Sequence, residues 1–171
     1  MAAAGEESFG AGLRAALDAS DTASLVLAGG NTPLALYARL AEADLLWERI
    51  HLFWGDERTV PPDDSQSNYG NARHVLLDAL KARRKPPALV ARMRGELDPE
   101  SAAAAYESAL DVLPVDDEAG GFPRFDLILL GMGADGHTAS LFPHTAALHA
   151  TERRVVANPV PQLQSVRLTL T

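Results

Sequence analysis

Four consecutive apolar residues, Leu127-Ile128-Leu129-Leu130, run straight into Gly131-Met132-Gly133-Ala134-Asp135-Gly136-His137. An unbroken apolar run of this length, bounded by glycines, predicts a strand buried on both faces. Glycine lets the backbone turn sharply and come close to a ligand. The turn ends on one imidazole, His137, and the short segment Thr138–Phe142 that follows is stopped by Pro143. In an open α/β sheet, ligands sit at the carboxyl ends of the strands. This stretch therefore predicts a fold class and the place of the chemistry together.

Two more strand–loop–helix corners precede it. Ser24–Ala28 reads as a buried strand and passes into Gly29-Gly30-Asn31-Thr32-Pro33. Asn31 or Thr32 can cap the next helix, Pro33 suits its first position, and the helix runs to about Ala43. Ile50–Trp54 is a second strand, ending at Gly55-Asp56-Glu57-Arg58. Asn68–Leu80 carries Tyr69, Ala72, Val75, Leu76 and Ala79 on one helical face. Further helices are expected over Ser8–Ser20 and, behind Asp98–Pro99, over Glu100–Leu113. Ala88–Met93, Val155–Ala157 and Val166–Thr171 read as strands, and Pro114–Pro123 as an exposed acidic loop. Strands alternating with helices through short loops imply an α/β fold, a mostly parallel Rossmann-like sheet flanked by helices. With 171 residues, 47% of them hydrophobic, one domain over residues 1–171 is expected. The alternation of Val166–Thr171 stops with nothing to cap it, so the domain is expected to be incomplete at its C-terminal end.

Composition removes several function classes. A net charge of −8 argues against a nucleic-acid surface, which needs a basic patch. It leaves room for an anionic small molecule held by local arginines and helix N-termini. No cysteine is present, so a thiolate metal site and a Cys nucleophile are excluded, in keeping with a reducing cytoplasm. Met1–Gly10 lacks the basic and apolar regions of a signal peptide, and no apolar run approaches a membrane span. Gly131-x-Gly133-x-x-Gly136 matches the dinucleotide fingerprint, but Pro143 cuts the following segment short. His137 also stands where that motif needs close packing, and the acid about twenty residues on, Glu152, precedes a strand rather than ending one. There is no Gly-x-Ser-x-Gly elbow, no Walker A sequence and no zinc-helix spacing among His137, His144 and His149. His51 lies inside an apolar strand and His74 on a helix surface.

Each corner has a plain and a chemical reading. Gly29–Pro33 is a tight turn, or an anion site made of backbone N–H groups. Gly55–Arg58 is a surface ion pair, or a guanidinium placed to grip a phosphate bidentately. His137 is structural, or a base with Asp135 two residues before it to orient it.

Three motifs carry a resemblance. They are Leu27-Ala28-Gly29-Gly30-Asn31-Thr32-Pro33, Gly55-Asp56-Glu57-Arg58-Thr59-Val60-Pro61 with Ser67-Asn68, and Gly131–Pro143. In this order and spacing they resemble the 6-phosphogluconolactonase family, over about Ser24 to Thr171. The sister family, glucosamine-6-phosphate deaminase, shares the fold and the Asp-Gly-His. It typically has Met-Asp-Glu-Tyr in the second motif and Ile-Ala-Phe-Asn-Glu-Pro after the His, where this chain has Gly-Asp-Glu-Arg and Thr-Ala-Ser-Leu-Phe-Pro.

The resemblance implies a glucosamine-6-phosphate deaminase-like fold and hydrolysis of 6-phospho-D-glucono-1,5-lactone without metal or organic cofactor. It implies His137 as general base, supported by Asp135, and Arg58 on the 6-phosphate. Backbone N–H groups of Gly29, Gly30, Asn31 and Thr32, and of Gly131 and Gly133, would hold the substrate. Asp56, Glu57 and Asn68 fall in the same substrate-binding set. Where the family often has Pro-Lys-Pro, this chain has Pro159-Val160-Pro161, and Arg167 remains as a second cation for the phosphate. The implied protein is a cytoplasmic monomer acting on a sugar-phosphate lactone, with no nucleic-acid or membrane partner. The alternatives are a deaminase or isomerase of amino-sugar phosphates, or a relative that binds sugar phosphates without turnover. The family also continues past Thr171 and usually begins with one more strand.

Overall fold

The computed structural model describes residues 2–116 and 120–171, with side chains from Ser8 onward. The elements follow in order. Helix α1 (Ala2–Ala19) leads to β1 (Ala23–Leu27), α2 (Leu34–Glu42), β2 (Ile50–Trp54) and β3 (Asp56–Arg58). Next come α3 (Asn68–Ala72), a π-helical turn (Arg73–Leu77) and α4 (Asp78–Ala82), joined end to end. Then follow β4 (Leu89–Val90), α5 (Pro99–Ala109), β5 (Val115–Asp116), β6 (Phe122–Pro123) and β7 (Leu127–Ile128). The chain closes with β8 (Val155–Val160) and β9 (Ser165–Leu170). Among the described residues no helix is long and apolar enough to cross a membrane.

The central sheet is parallel, in the order β4-β2-β1-β7. From β1 the chain moves outward through β2 to β4, then returns to the opposite side of β1 as β7. The carboxyl ends of β1 and β7 are thus a topological switch point, where loops diverge and leave a crevice. Alternating side chains of β1 and β2 feed two cores. Leu25, Leu27, Leu52 and Trp54 pack with Leu13, Tyr37, Leu40 and Leu76 on the α1/α2/α3 face. Val26 and Phe53 pack with Met93, Ala103, Tyr106 and Leu110 of the α5 face.

A second, antiparallel sheet in the order β3-β9-β8 stands beside the first. Gly55 is the seam. Its N–H donates to Leu27 O (3.0 Å) and its carbonyl accepts from Leu170 N (2.9 Å). Tyr106 seals the end of β2 from the other side, accepting from Trp54 N (2.8 Å) and donating to Trp54 O (3.0 Å).

Several expectations are corrected. The Leu127–Leu130 run is an edge strand of two paired residues, not a strand buried on both faces. Leu129 is buried, whereas Ile128 and Leu130 are 44% and 65% exposed, so one face of the run is left uncovered; among the described residues β1 is the only strand paired with it. Gly55–Arg58 is not a loop: Asp56–Arg58 is a strand of the second sheet. The two strands expected near the C-terminal end pair with it antiparallel rather than extending the parallel sheet. Neither Asn31 nor Thr32 caps α2 through its side chain; Asn31 contributes its carbonyl to Leu34 N instead. Asp98 does cap α5, accepting from Ser101 N at 3.0 Å. Within Pro114–Pro123 the ends form the β5–β6 hairpin, and residues 117–119 lie outside the described residues.

Candidate active site

The three corners meet in one cleft of about 1010 Å³ at the switch point. From the first come Gly29, Gly30 and Thr32; from the second, Asp56 and Arg58; from the third, Gly131, Gly133, Asp135 and His137. Arg167 reaches it from β9. Asn31, Glu57 and Asn68 do not line it. A second hollow is lined by Leu17–Asp21 and by Arg49, whose guanidinium is held by the Leu17, Ser20 and Asp21 carbonyls.

The third corner wraps His137 tightly. Its Nδ1 faces Asp135 Oδ1 at 2.6 Å, and its ring stacks on Phe142 with centroids 4.0 Å apart. Gly133 N donates to His137 O (2.8 Å), and Gly136 N donates to Gly133 O (3.0 Å) with Gly136 at φ +86°. A Cβ on Gly133 would overlap the His137 ring and the Asp135 carboxylate. The hydrogen bond from His137 holds the Asp135 carboxyl below its usual range. With the Nδ1 proton directed at that carboxylate, a neutral imidazole carries its lone pair on Nε2. The Gly133 amide is already engaged by His137 O. Gly133 N is therefore not free to hold a substrate as the sequence predicted, while Gly131 lines the cleft. No described backbone hydrogen bond uses the N–H groups of Gly29 to Thr32.

The second corner supplies the cations. Arg58 and Arg167 are directly opposite in the β3–β9 register. Arg58 Nη1 donates to the Gln66 carbonyl. Burial and the neighbouring Arg58 charge push Arg167 below the usual arginine value, while Asp56 and Glu57 pull the other way. Two guanidiniums held side by side at a cleft wall repel one another, and a multiply charged anion relieves that repulsion.

Glu57 and Asn68 build this wall from behind. Glu57 is 2% exposed. Its Oε1 accepts from Arg58 N (2.8 Å) and Asn68 N (2.7 Å), and its Oε2 from Tyr69 N (2.8 Å) and Ser67 Oγ (3.0 Å). Burial raises its carboxyl above the ordinary value, and these four donors oppose the rise. Asn68 Nδ2 donates to the Asp56 carbonyl and to Asp56 Oδ1, both at 3.0 Å. Its amide packs against Gly29 so closely that any Cβ there would overlap it. Gly29 thus lets the first corner seat on the second. Tyr37 completes the first corner, donating to Ala28 O at 2.7 Å.

Sequence reasoning missed Ser140, Phe142 and the buried Asn158 and Thr169 behind them. Ser140 and Phe142 lie inside the third motif, but only the fold shows what they touch. Among the described residues no group of three His, Asp or Glu side chains converges as a metal site requires.

Comparison with known proteins agrees with this geometry. The sequence pattern of the family described as "Glucosamine-6-phosphate isomerases/6-phosphogluconolactonase" matches residues 1–171. A 6-phosphogluconolactonase of Synechocystis is 50% identical over 133 residues, covering 77% of this chain and 54% of the relative. That of Mycobacterium tuberculosis is 39% identical over 177 aligned positions, covering 99% of this chain and 70% of the relative. The solved 6-phosphogluconolactonase of Trypanosoma brucei superposes with a TM-score of 0.82 at 35% identity, over 99% of this chain and 72% of that one. The chain spans about half the length of the first curated relatives it matches, 54% and 51%. On fold, motif order and sequence likeness, this chain belongs to the glucosamine-6-phosphate isomerase/6-phosphogluconolactonase family.

Proposed function

We propose that this cleft hydrolyses 6-phospho-D-glucono-1,5-lactone to 6-phospho-D-gluconate, the ring-opening step of the oxidative pentose phosphate pathway. One observation carries the reading: a carboxylate-oriented imidazole and a pair of opposed guanidiniums line the same cleft. The first suits a general base, the second a phosphate dianion. The names of the relatives support the same substrate.

The chemistry then follows from the residues. Arg58 and Arg167 hold the 6-phosphate and place the lactone carbonyl near His137. Nε2 of His137 takes a proton from water as the water oxygen bonds to C1. Negative charge grows on the carbonyl oxygen and is met by backbone N–H groups of the glycine loops. As the intermediate collapses, the bond from C1 to the ring oxygen breaks, and the imidazolium returns its proton to that oxygen. Asp135, ionised throughout, stabilises the imidazolium formed in between. A lactone is activated toward water, so positioning and one base suffice. The reading includes a cytoplasmic protein working as a monomer.

The test is to mix the protein with freshly prepared lactone and follow 6-phosphogluconate through its dehydrogenase, subtracting spontaneous opening. Acceleration proportional to enzyme supports the lactonase reading. No acceleration, with ammonia released from glucosamine 6-phosphate instead, contradicts it.

A further inference from the structure

His137 stands on a segment with no regular element to hold it. Between His137 and Pro143 the chain makes a turn closed by one bridge, Thr138 to Leu141, with Ala139 in the left-handed region at φ +47°. Such a backbone persists only where its surroundings impose it.

Here the imposing residue is Ser140, which is 2% exposed. Its Oγ donates to Asp56 Oδ2 at 2.6 Å, its N donates to Thr169 Oγ1 at 3.2 Å, and its carbonyl accepts from Asn158 Nδ2 at 2.8 Å. All three partners belong to the antiparallel sheet. Asp56 and Thr169 face one another across β3 and β9, and Asn158 lies in β8. Asp56 is tied at its other oxygen by Asn68, so its carboxylate cannot swing. Asn158 also donates to Thr145 Oγ1 (3.0 Å), which donates to Phe142 O (2.7 Å). Phe142 is the ring stacked on His137.

We propose that Ser140 is a positioning residue of the active site, its hydrogen bond to the Asp56 carboxylate setting where the His137 imidazole stands. The strand that carries Asp56 carries Arg58 two residues later. The clamp therefore fixes the separation between phosphate grip and base, which a sugar-phosphate substrate of fixed length requires. A charge-assisted bond of this length is of the strong kind. A buried hydroxyl with its proton on a fixed carboxylate holds a loop in place rather than attacking a substrate. The kinetic side of this proposal rests on the lactonase reading; the structural side does not.

The test compares wild type with Ser140→Ala by lactone kinetics and by NMR of histidine-labelled protein. The expected result is a fall in kcat on the order of ten- to a hundredfold. KM should stay within about twofold. The His137 ring signals should move while those of the other four histidines hold. If Ser140→Ala does not fold, Ser140→Cys, similar in size but a weak donor, takes its place. Unmoved His137 signals overturn the proposal whatever the kinetics. An unchanged kcat, or a loss carried mainly by KM, overturns its catalytic part. If wild type opens no lactone, the functional reading fails, and the ring signals still decide the clamp.

Discussion

Gly133 touches the His137 ring so closely that a single methyl has no room. Gly133→Ala is accordingly expected to displace the imidazole and lower kcat by at least about tenfold, measured on the lactone with KM determined in parallel. An unchanged kcat would mean that the loop has slack. Arg58→Ala removes one of the two opposed guanidiniums. It is expected to weaken substrate binding by about 1.5–3 kcal/mol, read as a rise in KM. A constant KM would exclude the phosphate role. Both positions were singled out in the sequence, through glycine spacing and through an arginine after a strand, but the Gly133 amide, expected to hold substrate, donates to His137 O instead. Ser140 was not singled out, because its partners Asp56 and Thr169 lie 84 and 29 residues away. Glu57 and Asn68 belonged to the right motif, but their side chains face inward to brace the wall. A motif marks positions that matter and does not say which face of the backbone each side chain takes.

At the scale of elements, β3 was the part least open to prediction. Asp-Glu-Arg has no apolar alternation and reads as a loop. It becomes a strand because β9 pairs with it and because Glu57 gathers the backbone donors of Arg58, Asn68 and Tyr69. Glu57→Gln keeps the shape but turns an NH2 toward donors on one side. It is expected to cost roughly 1–3 kcal/mol, measured by denaturant unfolding. Glu57 titration has a definite sign. Its folded value is raised by burial, so its contribution is present below the ordinary carboxyl range and is lost as pH rises through the raised value. The β7 run was misread for a related reason. Continuous apolar sequence signals burial on both faces only when elements pack over both faces, and here the Leu129 side is covered while Ile128 and Leu130 are left exposed. The α/β pattern of β1, α2 and β2 was legible because a short unbroken apolar run and a 3.6-residue apolar period are local properties of the sequence.

For the whole molecule, the parallel order β4-β2-β1-β7 explains why three distant glycine corners share one cleft: each follows the carboxyl end of a strand at or beside the reversal of strand order. The acidic molecule also has a defined acid response. Asp44, Glu96, Asp98 and Asp135 all titrate below their ordinary values, Glu96 at about 2 through its hydrogen bonds with Arg92. Depressed carboxyl groups contribute stability that is present above their unfolded values, about 4, and lost as pH falls toward 2. The melting temperature is therefore expected to fall across that window and to fall less in Glu96→Gln; a flat profile would contradict the assignment. The central claim, that a base on the third corner opens a phosphorylated lactone gripped by the second, is tested most directly by one comparison. Wild type and His137→Ala are assayed side by side on fresh 6-phosphogluconolactone, with binding of 6-phosphogluconate measured on both. The account predicts a loss in kcat of roughly a hundredfold or more with product binding kept. A variant that still turns over at the wild-type rate would remove His137 as the base.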